Sequence, residues 1–258
     1  MILISSSDNP RFREWLGLVE SARDRRQAGL AVIDGVHLVA SHVAHRGPPA
    51  TLVVSESGRQ RDEIAGLLAR LPDVATFALG DGLFRRLSPV QTPTGILAII
   101  PISGHQAPSG DSDTCVLLDA VQDPGNLGSI LRSTAAAGIR QVHLSAECAD
   151  LWSPKVLRAG MGAHFQLDCF VGVDLAAFAD SFKGRLVATG LRASKSVFDT
   201  DLTGSIALVF GNEGAGVSPA LLGRAAEVVA IPMPGGMESL NIAAAAAICL
   251  FERVRQLR

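Results

Sequence analysis

Short apolar runs separated by helix-spaced stretches set the rhythm of this chain. Up to residue 102 the runs are LAVI, TLVVS, VATFAL and GILAII, alternating with amphipathic stretches over 10–20, 35–45 and 59–71. That alternation predicts a small α/β domain. From residue 115 come CVLLD, QVHLS, RLVAT, SIALVF and EVVAI, with helical stretches over 126–137, 153–159, 175–182, 218–224 and from 239 to the end. These runs are apolar at successive positions, the pattern of parallel strands covered by helices on both faces. A doubly wound α/β sheet follows, and such sheets bind ligands beyond the carboxyl ends of their strands. Chemistry is therefore expected directly after CVLLD, SIALVF and EVVAI.

Between the two sets, SGHQAPSGDSD at 103–113 is polar, aperiodic and rich in Gly, Pro and Ser. It reads as a linker dividing the chain into domains 1–104 and 105–258. With 258 residues, 48% of them hydrophobic and 19% charged, the chain can bury its core without disulfides or metal. MILISSSDNPRF has no basic stretch leading into a long apolar one, so no signal peptide is expected. The longest apolar run, 242–251, is too short to span a bilayer, so no membrane association is expected. Cys115, Cys148, Cys169 and Cys249 form no C-x-x-C pair, and the six histidines form no ligand-spaced cluster. Free thiols, no metal and a reducing, cytoplasmic location are expected. The net charge of −2 divides into +1 over the first 104 residues and −3 over the remainder, so any polyanion must be met by local patches.

Three motifs follow strands. After CVLLD, DPGNLGSILRSTAAAGI has the spacing N-x-G-x3-R-x5-G. Asn126 reads as a helix N-cap, Gly138 as the stop, and Arg132 by itself as a surface arginine. After SIALVF, GNEGAGVSP offers glycines for a tight bend, Glu213 as the one charge, and Pro219 opening a new helix. It matches neither G-x-G-x-x-G nor a nucleotide-triphosphate loop. After EVVAI, IPMPGGMESLNIAAAAAICLFE bends through Pro and Gly before Ser239 and Asn241 open a helix carrying a run of alanines. Taken alone, Ser239 is a helix cap.

In order and spacing these three segments resemble the motifs of the SpoU/TrmH branch of the SPOUT RNA methyltransferases. SPKVLRAGMGAHF is similar to a further segment of that family. SSSDNPRFREWLGL and LAVIDGVHLV resemble the substrate-binding domain often fused to it, with Asp34-Gly35 where Glu-Gly is usual. The resemblance implies an S-adenosylmethionine-dependent RNA 2′-O-ribose methyltransferase. Its fold would be a C-terminal trefoil-knotted SPOUT domain behind a small N-terminal α/β RNA-binding domain, working as a homodimer. Carried over by position, Gly211, Ile231 and Leu240 would hold S-adenosylmethionine. Asn126, Arg132, Glu213, Ser239 and Asn241 would serve substrate binding and catalysis. Arg132 would act either as the base or, because a guanidinium normally stays protonated, as a phosphate and charge stabiliser. The alanines would keep the last helix thin beside the knotted crossing.

Ribosomal RNA is preferred over tRNA as the substrate, because the two-domain form resembles ribosomal RNA methylases more closely. Arg11, Arg13, Arg23, Arg25 and Arg26 are candidate RNA contacts, with Arg85 and Arg86 as further ones, and Trp15 reads as core. One rival is a class I methyltransferase, whose glycine loop follows the first strand of its sheet rather than a late one. Another is a catalytically silent RNA-binding assembly factor on the same scaffold.

Overall fold

The computed structural model describes residues 1–102, 113–191 and 193–258. The expected linker lies outside the described residues except for Asp113. The chain forms two compact units, Met1–Ser103 with Trp152–Phe165, and Gly104–Leu151 with Gln166–Arg258.

The first unit holds strands β1 (Ile2–Ile4), β2 (Leu30–Asp34), β3 (Thr51–Ser55), β4 (Thr76–Leu79) and β5 (Ile96–Pro101) in the order β1-β4-β3-β5-β2. The strands β1, β4 and β3 are parallel, while β5 runs antiparallel to β3 and β2. Its helices include α1 (Pro10–Glu20), α2 (Ala22–Ala28), α3 (Val36–Arg46), α4 (Asp62–Ala69) and α5 (Asp81–Leu87). The Asn9 side chain accepts from the Arg11 N–H to start α1, with Pro10 in the first turn. Helical spacing then turns Phe12, Trp15 and Leu18 into a core with Val32, Val53, Phe77 and Leu97. Trp15 is buried, as the pattern predicts, and meets Phe77 edge-on at 5.2 Å. Arg25 corrects an expectation. It lies buried, donating to the Leu18 and Val19 carbonyls at 2.6 and 3.1 Å, so it closes the end of α1 and is withdrawn from RNA.

The second unit holds β6 (Cys115–Leu118), β7 (Gln141–Leu144), β8 (Asp168–Val171), β9 (Arg185–Thr189), β10 (Lys195–Ser196), β11 (Ile206–Phe210) and β12 (Glu227–Ala230). They form one parallel sheet in the order β10-β12-β9-β11-β6-β7-β8. The helices are α6 (Pro124–Ala136), α7 (Pro154–Gly160), α8 (Leu175–Ser181), α9 (Pro219–Leu222) and α10 (Ile242–Gln256). Of these, α7 belongs to the first unit. There the turn after it is fixed by Arg46, whose Nε donates to the Phe165 carbonyl at 3.0 Å, and by His42 edge-on to Phe165 at 5.1 Å.

The last helix packs on α6. Its alanine run is only partly covered. Ala246 is fully buried with Cys249 and Leu250, whereas Ala244 is exposed. Cys115 and Cys249 are buried free thiols, each pushed up to about 12 by burial. No described helix is long and apolar enough to cross a membrane.

His143, on β7 next to the edge strand β8, is fully buried between Phe170 and Phe178, with ring centroids 4.8 and 4.1 Å away. Neither ring nitrogen has a hydrogen-bond partner. Burial lowers its pKa from 6.5 to about 4, so the folded chain holds this imidazole neutral. Between those values the unfolded chain binds the extra proton, and stability falls as pH falls. A loss of about 3 kcal/mol is expected from pH 7 to pH 4, read from urea midpoints. His143→Phe should flatten that part of the profile; an unchanged slope would place the acid sensitivity elsewhere.

Candidate active site

The carboxyl ends of β6, β11 and β12 lead into the three motifs. In the first, the helix begins earlier than the sequence reading had it. Asp123 is the N-cap, accepting from the Asn126 N–H at 2.8 Å, and Pro124 opens α6. Asn126 is therefore not the cap but a first-turn residue with its side chain free to reach out. Its Nδ2 donates to Glu213 Oε1 at 3.1 Å, and its Oδ1 accepts from Asn241 Nδ2 at 2.8 Å. Asn241, not Ser239, caps α10, accepting from the Ala243 and Ala244 N–H groups at 2.9 and 3.4 Å.

Glu213 also accepts from the backbone N–H groups of Gln122 and Asp123 at 3.3 and 3.1 Å. Burial opposes its ionisation, but the Asn126 amide and the N–H groups of Glu213, Asp123 and Gln122 outweigh it, holding the carboxyl below its ordinary 4.5. The carboxylate is acceptor-only and the α10 amides are donor-only. The orientations of both asparagine amides between them are thereby fixed. One hydrogen-bonded chain thus joins Glu213, Asn126 and Asn241 from three separate motifs.

Arg132 and Ser239 stand outside that chain. Both are exposed, and their side chains make no hydrogen bond or ion pair among the described residues. Gly211 follows β11, where a Cβ would lie 2.1 Å from the Gly216 carbonyl carbon. Only glycine allows the loop to close, and it does so through paired Asn212 and Gly216 backbone bonds of 2.8 and 2.9 Å. Ile231 follows β12, half-buried, and Leu240 is 39% exposed just before α10. Because β12, β9 and β11 are adjacent and parallel, their register carries Ala230, Gly190 and Gly211 to the same level at strand spacings of about 4.8 Å, with Ile231 one residue beyond. The sequence reading missed Asp123, although Asp before a helix-opening Pro is a cap signal. It also missed Asn212, whose neighbours carry no comparable cue.

The SpoU rRNA methylase family model matches residues 113–251. The chain belongs to the SpoU rRNA methylase family. Residues 9–98 match the MRM3-like substrate binding domain. Among relatives of this SpoU chain, the 23S rRNA (guanosine(2553)-2′-O)-methyltransferase RlmP of Bacillus subtilis is 30% identical, over 96% of this chain and 97% of that one. The 23S rRNA (uridine(2479)-2′-O)-methyltransferase of Streptomyces viridochromogenes is 31% identical, over 97% and 91%. The crystal structure of the SpoU methyltransferase AviRb from Streptomyces viridochromogenes in complex with the cofactor AdoMet superposes with a TM-score of 0.86 at 31% identity, covering 96% and 98%.

Glu213→Gln turns one of the two acceptor atoms into a donor, so the three N–H groups can no longer all be satisfied. A loss of about 1 kcal/mol in urea unfolding is expected, the modest size reflecting an exposed setting. A variant as stable as the parent would mean that the carboxylate does not hold these turns together.

Proposed function

We propose that this SpoU-family chain is an S-adenosylmethionine-dependent 2′-O-ribose methyltransferase of ribosomal RNA. The observation carrying this reading is the bonded Glu213–Asn126–Asn241 chain, with the Arg132 side chain unpaired on α6, the helix whose first turn carries Asn126. Two-thirds-exposed Met237 and partly exposed Leu240 leave apolar surface beside the Pro/Gly turn, which suits an adenine face. With the strand ends at Gly211 and Ile231, these residues fit S-adenosylmethionine. When bound, it supplies a methyl group on a sulfonium that is its own leaving group.

The chain must then align a ribose hydroxyl and manage one proton, and alignment alone is worth roughly 7–11 kcal/mol. Glu213, with a lowered pKa and both oxygens engaged, is a weak base at neutral pH. Arg132, cationic and uncommitted, is assigned to the phosphate beside the reacting ribose and to the charge developing on its oxygen. Asn241 caps α10 and Asn126 ties that cap to Glu213, and Ser239 is left free for substrate.

Domain 1–104 is assigned to RNA capture. Arg11 lies over the Phe77 ring at 4.8 Å and Arg86 over the Phe12 ring at 5.8 Å. Neither forms an ion pair among the described residues, whereas Arg13 is held by Asp8 at 2.5 Å. Flat guanidiniums braced on aromatic faces suit phosphates and unstacked bases. We read the C-terminal segment as the threaded part of a trefoil knot, supported by its bond back to α6 through Asn241. A homodimer is read from the uncovered apolar positions of α10, with Phe251 at 48% exposure beyond Ala244 and Ile248 at helical spacing. The buried free thiols suit the cytoplasm.

Labelled methyl from S-adenosylmethionine should pass to unmodified 23S rRNA and not to tRNA, and should block alkaline cleavage at the modified ribose. Transfer to tRNA alone would overturn the substrate class, and cofactor binding without transfer would favour a silent scaffold. Arg132→Ala should lower kcat by about 10²–10³-fold while leaving cofactor affinity unchanged. Arg11→Gln with Arg86→Gln should raise KM for RNA and reduce the salt dependence of binding by about one unit of slope per residue. An unaltered slope would remove both from the RNA contact.

A further inference from the structure

Ala120 is one of two non-glycine residues with positive φ among the described residues, at +57°. A Cβ in that region costs free energy, and such a residue persists only where its surroundings hold it. Ala120 is held on both sides. Its N–H donates to Ser145 Oγ at 3.0 Å, and its carbonyl accepts from Asn212 Nδ2 at 2.9 Å. Asn212 is itself anchored, because its Oδ1 accepts from the Gly214 and Ala215 N–H groups at 2.9 and 3.0 Å. The next residue in the chain, Glu213, takes the N–H groups of Gln122 and Asp123. Two consecutive residues of the second motif therefore grip consecutive parts of the turn that launches α6.

We infer that Asn212 is a positioning residue for methyl transfer. Its amide holds the strained Ala120 turn in the left-handed conformation that sets where α6 begins, and so where Asn126 and Arg132 stand. The inference rests on the reading of those two as site residues. The Asn212 side chain reaches backbone only, and the residue's five hydrogen bonds, to Ala120, Gly214, Ala215 and Gly216, lie within the loops. If the turn relaxed toward an ordinary conformation, the N–H groups of Gln122 and Asp123 would leave Glu213. Asn126 would then lose its fixed partner.

The inference makes a specific rescue possible. Asn212→Asp keeps an oxygen for the Gly214 and Ala215 N–H groups but removes the donor to the Ala120 carbonyl. Ala120→Gly removes the strain, since glycine enters the left-handed region freely. In the full chain, Asn212→Asp should lower kcat for RNA methylation about tenfold, with S-adenosylmethionine affinity measured alongside by calorimetry and little changed. Adding Ala120→Gly should restore most of that kcat. A fall without rescue would mean that Asn212 acts in some other way, and no fall would remove it from catalysis; either overturns the inference. Should Asn212→Asp fail to fold, Ala120→Val raises the strain with Asn212 intact. It should lower kcat in a folded protein, and an unchanged kcat overturns the inference equally. Arg132→Ala run in parallel separates the two levels. Full activity in that variant defeats the site reading itself, whereas an inactive Arg132→Ala beside an unaffected Asn212→Asp defeats only the role of Asn212.

Discussion

The carboxylate of Glu213 is the contact on which the candidate site depends. It is an acceptor with no donor of its own, set among two backbone N–H groups and one side-chain amide. That chemistry leaves no freedom in how Asn126 points, and Asn126 in turn leaves none for Asn241. The third link ends on the first amides of α10, whose unsatisfied N–H groups need an acceptor in any case. Three loops far apart in the chain are thus registered by groups that each have one way to pair. Half-satisfied networks of this kind are costly and fully satisfied ones are rigid, which suits a site whose main work is alignment.

The same logic separates side chains committed to the fold from uncommitted ones. Glu213, Asn126, Asn241 and Asn212 are occupied by one another and by backbone. Arg132 and Ser239 are not, and both are exposed. A guanidinium already committed to a carboxylate would have to break that pair before meeting a phosphate. Arg13, tied to Asp8, and Arg224, tied to Asp180 through 2.7 and 2.9 Å bonds, illustrate the alternative. The Glu213 carboxylate, for its part, is taken up by donors that carry no charge, and the Arg132 guanidinium forms no ion pair among the described residues.

The fold was legible where burial alone decides structure. Runs such as CVLLD and SIALVF are apolar on both faces and became central parallel strands, with Val116 and Leu208 fully buried. The weakly apolar DCFV escaped notice because β8 is an edge strand, paired on one side only. Helix α2 escaped because its sequence, ARDRRQA, has no apolar face; it is held by a Ser21 cap and by burying Arg25. In the site, the polar residues were recognisable as a set through family resemblance, but their partners were not. Which of two plausible caps starts α6 depends on Glu213, which lies far along the chain and draws the Asn126 side chain away. Local propensity cannot register a partner at that separation. The strained Ala120 was invisible for the same reason, since nothing in Asp-Ala-Val predicts positive φ without Ser145 and Asn212 on either side.

A doubly wound sheet offers ligands the crevices beyond the carboxyl ends of its strands. One such crevice, beyond β6, β7 and β8, is lined by Asp119, Glu147 and Asp174. Asp119 accepts from the Ser218 N–H at 2.8 Å, and Asp174 caps α8 through the Ala176 and Ala177 N–H groups. These carboxylates serve the fold and would repel a phosphate. The unpaired arginine of the first motif lies instead on α6, the helix against which α10 packs. Carboxylates thus line the crevice beyond β6, β7 and β8, whereas the uncommitted arginine stands on the helix pair joined by Asn126 and Asn241. The polar groups come from both early and late strands: β6 leads into Asn126 and Arg132, β11 into Glu213 and β12 into Asn241.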